Sequence, residues 1–318
     1  MALSLAESAK LSTTNLQRGV IETFVQESSI LDRIPLMPIE GNSYAYNEEA
    51  TLPGVSFRGV NEGYTESTGT VNQRSESLVI LGGDADVDRF IVQTRGNLND
   101  QRAIQTRMKV KAAAFKFQDT FFNGDVSTDP KSFDGLRKRL TGGQVLSAGT
   151  NGAPIVGDGV NDAHAFFDKL DELVASVPGL TSANGAIYAN RKVISKTKSA
   201  ARRLGGFDMV KEALTGKWIP TYNGIPMLDP GQNAAGADIL PQTETQGTAT
   251  DASSVYAVRF GQTEDDQAVT GLTNGGVMVD DLGQLETKPA YRTRIEFYCG
   301  LAVFGGRAAA RLNGVLAK

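Results

Sequence analysis

Three aspartates at alternate positions, Asp84, Asp86 and Asp88, come nearest in type and spacing to a metal site. They begin like a calcium loop. The sixth position, where that loop needs glycine for its turn, is Arg89, and the twelfth, where it needs a bidentate glutamate, is Arg95. An acidic strand face meeting solvent or basic side chains accounts for the triplet, so no metal ligand is assigned. His164, the one histidine, follows Asp162 at the start of a helical pattern. Imidazole is the usual general base near neutral pH, but no nucleophile motif accompanies it, and no catalytic residue is assigned. Cys299, the one cysteine, lies in an apolar strand pattern and reads as a small core residue. The phosphate-cradling G-x-x-x-x-G-K-S/T and the G-x-S-x-G elbow are both absent. The nearest approach to a dinucleotide fingerprint, GDGVND, breaks off at Asp162. No cofactor is implied.

The counts exclude further classes. One cysteine and one histidine leave neither an intrachain disulfide nor a Cys- or His-based zinc site. A net charge of −4 argues against a dedicated nucleic-acid binder, whose affinity comes from Lys and Arg neutralising phosphates. Glu7 interrupts the N-terminal stretch where a signal peptide needs an apolar run, and no run approaches the ~18 residues of a membrane span. No Asn-x-Ser/Thr sequon occurs. The expectation is a protein of a reducing compartment with no membrane association. The 35 glycines in 318 residues point to many turns and close backbone approaches rather than a helical bundle.

The elements that must position these residues read as α+β. Residues 1–34 suggest a helical arm capped at Thr13 or Thr14, carrying Leu16, Val20 and Phe24 and ended by Pro35 and Pro38. Residues 39–78 are too poor in apolar side chains for a core and too long for a structureless loop. A projecting two-stranded hairpin fits them, and such a hairpin is marginal in water without a partner. Within 41–78, Glu48, Glu49, Glu62, Glu66 and Glu76 outnumber Arg58 and Arg74, and no lysine lies between Lys10 and Lys109. Residues 78–94 alternate as a strand, with Val79, Leu81, Ala85 and Val87 on one face and the aspartates on the other. The spacing predicts a helix over 99–123, capped by Asn97 or Asn99 and stopped by Asn123-Gly124. Its apolar stripe is expected to be Ile104, Met108, Ala112, Phe115 and Phe122. Its other face carries Arg102, Arg107, Lys109, Lys111 and Lys116. No aromatic residues interleave with these cations, so an acidic protein segment suits them better than nucleic acid.

Further on, Asp162 is expected to cap a helix carrying Phe166, Leu170 and Leu173. A buried strand at 185–189, a basic helix at 191–204 and a hairpin at 218–228 turning on Asn223-Gly224 follow. Residues 230–254 read as a loop. Strands are expected at 255–260, 276–279, 292–297 and 301–312.

This order of elements resembles the major capsid protein of tailed bacteriophages, with its Hong Kong 97-like fold. The resemblance covers essentially the whole chain. It is carried by the acidic hairpin, the long basic helix ending in Asn123-Gly124, the FDGL segment at 133–136, YNGIPML at 222–228, and the closing YRTRIEFYCGLAVFGGRAAARLNG. It implies an N-arm at 1–38, an E-loop at 39–78, and a P-domain at 79–134 and 276–318 with its spine helix near 99–123. The A-domain would occupy 135–275, its tips meeting at the capsomer centre. The implied role is structural and not enzymatic: homo-hexamers and homo-pentamers closing into an icosahedral virion shell, assembled in the host cytoplasm around double-stranded DNA bound without sequence specificity. Implied partners are a portal, a separate scaffolding protein and a cement protein. No scaffold domain is expected within the chain. The family's lysine–asparagine cross-link is not expected either, because the hairpin has no lysine and a guanidinium stays protonated.

Charge complementarity then assigns assembly contacts. Glu48, Glu49, Glu62 and Glu66 of one hairpin would meet Arg102, Arg107, Lys109, Lys111 and Lys116 of a neighbour's helix. The Asp84, Asp86, Asp88 face is the second choice of partner. Two other readings stay open: an encapsulin-like nanocompartment of the same fold enclosing an enzyme, and a β-rich hydrolase or carbohydrate-binding protein with an unrecognised site.

Overall fold

The computed structural model describes residues 28–90, 93, 101–157, 160–205, 208–211 and 218–318. The N-terminal helix expected around Leu16, Val20 and Phe24, and the caps Asn97 and Asn99, lie outside the described residues. From Ser29 to Arg33 the chain forms turns, not the end of a helix, and Ile34 donates its N–H to Ile30 at 2.8 Å. Ile30, Leu31 and Ile34 are buried there.

In chain order the elements are β1 (Leu36–Pro38), β2 (Ser43–Thr51), β3 (Thr70–Ser77), β4 (Val79–Asp88), α1 (Gln101–Asn123), α2 (Leu136–Arg139), β5 (Val145–Ser147) and β6 (Ala153–Pro154). Then come α3 (Val160–Ala175), β7 (Gly185–Tyr188), α4 (Arg191–Arg203), β8 (Asp208–Lys211), β9 (Trp218–Tyr222) and β10 (Ile225–Leu228). The chain closes with β11 (Glu244–Gln246), β12 (Ala249–Arg259), β13 (Val269–Gln284), β14 (Ala290–Val303) and β15 (Ala309–Leu316).

Two sheets carry the molecule. The smaller has the order β1-β13-β14-β4, and the larger has the order β5-β15-β12-β7-β10-β9-β8 with β6 and β11 attached. Pro38 is tolerated in β1 because that strand is an edge, pairing only with β13. The crossovers β6–α3–β7 and β7–α4–β10 put both helices on one face of the larger sheet. Strand periodicity then separates two cores. Ala186, Tyr188, Tyr256 and Val258 join the cluster containing Phe117, Phe121 and Phe122 of α1. Their sequence neighbours Ile187, Ala189, Val255 and Ala257 join Phe166 and Leu170 of α3 and Val193 of α4. The period of two is what lets one sheet seal two layers.

Of the stripe its sequence suggests, the long helix fully buries only Phe122. Thr106, Val110, Ala114, Phe117 and Phe121 are buried, whereas Ile104 is 38% and Met108 61% exposed. Two apolar stripes coexist on this helix. The one containing Ala114 faces the sheets, and Phe122 packs on the larger sheet, 5.5 Å from Tyr188 of β7 and 5.1 Å from Tyr256 of β12 between centroids. The helix stop is a fitted joint. A Cβ on Gly124 would lie 2.2 Å from the Phe133 carbonyl, and one on Gly135 would lie 2.5 Å from the Thr120 carbonyl. The Asn123-Gly124 and FDGL segments therefore pack backbone to backbone.

Other differences concern boundaries. Asp162 lies inside the first turn of α3 and not before it. The expected strand over 301–312 is two strands, because Gly305 and Gly306 turn the chain out of the small sheet and into the large one. Only β13 and β14 of the segment assigned to a P-domain at 276–318 belong with β4; β15 pairs with β12, β5 and β6. The presumed loop 230–254 contains β11 and the start of β12. The hairpin at 218–228 forms as expected, with Asn223 at φ 50° and Gly224 at φ 76°. Among the described residues no helix is long and apolar enough to cross a membrane.

Candidate assembly surfaces

The hairpin of β2 and β3 forms a two-stranded sheet of its own, with Ser43 opposite Ser77 and Glu49 opposite Val71. Its root is locked to the body. Tyr44 and Tyr46 stack on each other and meet the edge of Phe304, whose centroid is 4.9 Å from that of Tyr46. Tyr46 donates its hydroxyl to the Val303 carbonyl at 3.2 Å, and Tyr44 donates to Glu264 at 3.1 Å. Burial, reinforced by that glutamate, holds the Tyr44 hydroxyl above the usual phenol range. Arg139 grips Glu76 through both guanidinium nitrogens, one contact being 2.6 Å, with both side chains about 15% exposed. Ile39, Leu272 and Ala302 complete a small core at this root.

The tip is the opposite case. Val55 is 96% exposed and Phe57 107%, and Leu52, Val60 and Tyr64 are also exposed. Local hydrogen bonds shape it without covering it. Glu62 accepts from the Gly59 N–H at 2.8 Å, and Arg58 donates to the Glu62 carbonyl at 3.2 Å while lying 5.3 Å from the Tyr64 ring centroid. Asn61 makes the turn at φ 67°. The hairpin is thus packed at its root and bare of cover at its apolar tip.

The residues expected to make charge contacts are distributed unevenly. Glu48 and Glu49 face Asn72 and Val71 in the backbone ladder, and their side chains lie outside the described residues. Glu62 is occupied at the tip, and Glu66 is exposed. Arg102 is engaged within the subunit, donating to Asp281 at 2.6 Å and to Thr293 at 3.3 Å and lying 5.2 Å from the Tyr291 ring centroid. The Lys109 stem lies over Gly83, where a Cβ would be 3.2 Å from its Cδ. Lys111 places its amine 5.4 Å from the Phe115 ring centroid. Arg107 and Lys116 are exposed.

The aspartate face is not available to a neighbour in the way the sequence suggests. Arg294 donates to Asp84 at 2.8 and 3.1 Å, Arg292 donates to Asp86 at 2.7 and 2.8 Å, and Lys288 also reaches Asp86. These arginine hydrogen bonds hold both carboxyls below the usual carboxylate range. Asp88 turns back to accept from the Phe90 N–H at 2.7 Å. The register of β4 against β14 brings the ladder together, pairing Asp84 with Arg294 and Asp86 with Arg292. His164 is exposed, and Cys299 is buried with its thiol pushed up to about 12.

The sequence reading missed the apolar tip and the root lock. Leu52, Val55, Phe57 and Val60 were visible as apolar residues in a segment with no core to hide them. The Glu76–Arg139 pair joins positions 63 residues apart and left no local signal.

A family model described as major capsid protein GP7 matches residues 13–164. Among solved structures, the chain is similar to the holo-SrpI encapsulin complex of Synechococcus elongatus, with a TM-score of 0.66 and 19% identity over 91% of this chain and 88% of that one. It is similar to the capsid of a native GTA particle, with a TM-score of 0.63 and 16% identity over 91% of this chain and 90% of that one. A chain of Mycobacterium phage Bobi gives a TM-score of 0.58 and 14% identity over 90% and 89%. No curated protein matches the sequence.

Proposed function

We propose that this chain, which has the Hong Kong 97-like fold and matches the major capsid protein GP7 family over residues 13–164, is the shell-forming subunit of a phage-type head. Its role is structural: many identical copies associate into a closed container. The observation that carries this reading is the hairpin, fixed at its root by Arg139 and Phe304 and bare at Val55 and Phe57. Burying an apolar side chain of this size contributes about 1.5–3 kcal/mol. A monomer forgoes that stabilisation and a neighbour supplies it.

In this reading the copies form hexamers and pentamers of an icosahedral virion shell around double-stranded DNA, completed by a portal and helped by separate scaffolding and cement proteins. Arg107, Lys111 and Lys116 are the exposed cations of α1 that would meet Glu48, Glu49 or Glu66 of a neighbour, a charge contact secondary to the apolar one. An encapsulin-like container is the second reading, favoured by the similarity to the Synechococcus elongatus complex. Electron microscopy of the purified full chain tests the shell, and the absorbance ratio of the particles separates nucleic acid from protein cargo. A monomer that never forms particles would remove both readings.

A further inference from the structure

Helices α3 and α4 lie on the same face of the larger sheet, and their exposed surfaces have opposite charge. On α4, Lys192, Lys196 and Arg203 are exposed at spacings of i, i+4 and i+11, which aligns them on one side. None of the three has an ion pair among the described residues. On α3, Asp168, Asp171 and Glu172 are exposed within one turn, with Lys169 bound to Glu172 at 2.7 Å. Asp171 also accepts the Tyr222 hydroxyl at 2.6 Å, and Asp168 has no partner among the described residues.

Both sets of charge oppose the helix that carries them. Cations disfavour a helix N-terminus, yet Arg191 and Lys192 open α4 and its first turn has no acid. Anions disfavour a helix C-terminus, yet Asp171 and Glu172 stand near the end of α3, whose last turn has no base. Lys192 and Lys196 repel each other at i, i+4. Part of this conflict is answered within the subunit, Arg191 by Asp229 at 3.3 Å, Glu172 by Lys169 and Asp171 by the Tyr222 hydroxyl, while Lys196, Arg203 and Asp168 are left without an ion pair among the described residues. The two crossovers advance in the same direction across the sheet, from β6 to β7 and from β7 to β10, so α3 and α4 lie side by side in that order. A surface with one charge toward one side and the opposite charge toward the other suits head-to-tail association, which closes into rings.

We infer that the basic face of α4 docks on the acidic end of α3 in a second copy of this chain, forming the ring contact within each capsomer. This rests on the shell reading and assigns one of its interfaces. It is separate from the hairpin contact, because α3 and α4 share no core with β2 and β3.

The test uses the full chain. K196E/R203E changes only exposed side chains and keeps the thermal midpoint of the wild type. Rim charges govern association rate and salt dependence, so particle yield at 50 mM salt should fall about tenfold. Adding D168K/E172K to the same chain restores a matched pair and should restore the yield. Mixing K196E/R203E with D168K/E172K chains should give mixed complexes with alternating subunits, since both contacts between unlike chains are matched, acidic α4 on basic α3 and basic α4 on acidic α3. K196E/R203E assembling like wild type at low and high salt overturns the contact. Normal particles with reduced nucleic acid also overturn it, because the face would then meet phosphates and not α3. A wild-type chain that forms no particles fails the shell reading instead. The ring contact is then decided by sedimentation of the two mixed variants, and absence of a mixed complex overturns it.

Discussion

Glu76 ties the projecting hairpin to the body through two hydrogen bonds from Arg139, in a site only about 15% exposed. Hydrogen bonds to charged groups contribute about 1.5–3 kcal/mol, and an unpaired guanidinium left half-buried adds a desolvation cost. Glu76→Gln is therefore expected to lower unfolding stability by about 1–3 kcal/mol in denaturant titration. It should also raise proteolytic cleavage within 52–69. Unchanged cleavage would show that Tyr46 and Phe304 hold the root alone. The aspartate ladder makes a prediction about acid. Asp84 and Asp86 lie below their ordinary value of 3.8 in the folded chain, mainly through arginine hydrogen bonds. Groups with depressed folded values stabilise the fold above the ordinary value, and that stabilisation is lost as pH falls below 3.8 through the depressed values. Denaturation midpoints followed from pH 5 to 2.5 should therefore fall less steeply for D84N/D86N than for wild type. Parallel curves would remove the ladder from acid stability.

At the scale of elements, the hairpin and the long helix each expose apolar side chains that the subunit itself does not cover. Replacing Val55, Phe57 and Val60 by serine touches no core, so the thermal midpoint of the free chain should stay within the ~0.5 kcal/mol typical of surface changes. Particle formation should be abolished. Particles of normal appearance from this variant would detach the tip from assembly. E48K/E49K should have a weaker, salt-dependent effect, because an exposed pair contributes only ~0.2–1 kcal/mol. The joint between α1 and the FDGL segment is different in kind. Gly135→Ala drives a methyl onto the Thr120 carbonyl and the Gly124 nitrogen. Such overpacking costs about 1–3 kcal/mol and should appear as a lowered denaturation midpoint of the subunit.

At the scale of the whole molecule, one chain contributes a small sheet, a large sheet and a hairpin; two large apolar cores serve the sheets, and among the described residues the hairpin has a core at its root alone. In the proposed shell a neighbouring copy supplies what the hairpin tip lacks. No lysine occurs between Lys10 and Lys109, so the hairpin offers no amine that could attack a neighbour's side chain. Boiled particles are expected to run on a denaturing gel as one band near 33.8 kDa. A ladder of multiples would show that a lysine elsewhere forms the bond.

Periodicity and turn chemistry are local, and the sequence determined what they govern: the hairpin of β2 and β3, α1 with its stop at Asn123-Gly124, the buried strand β7, and the Asn223-Gly224 turn. It also determined the order of parts that resembles a capsid subunit, because that order is written along the chain. The tertiary structure alone decided which of two apolar stripes α1 buries, since both have helical spacing and only the sheets select between them. It sent β15 to the large sheet, because the turn at Gly305-Gly306 redirects an apolar run that reads as one strand. It turned Asp84 and Asp86 from a free acidic face into cross-strand pairs, because the register of β4 on β14 brings arginines some 210 residues away in sequence to meet them. Contacts between residues so far apart depend on register and packing, which no local spacing encodes.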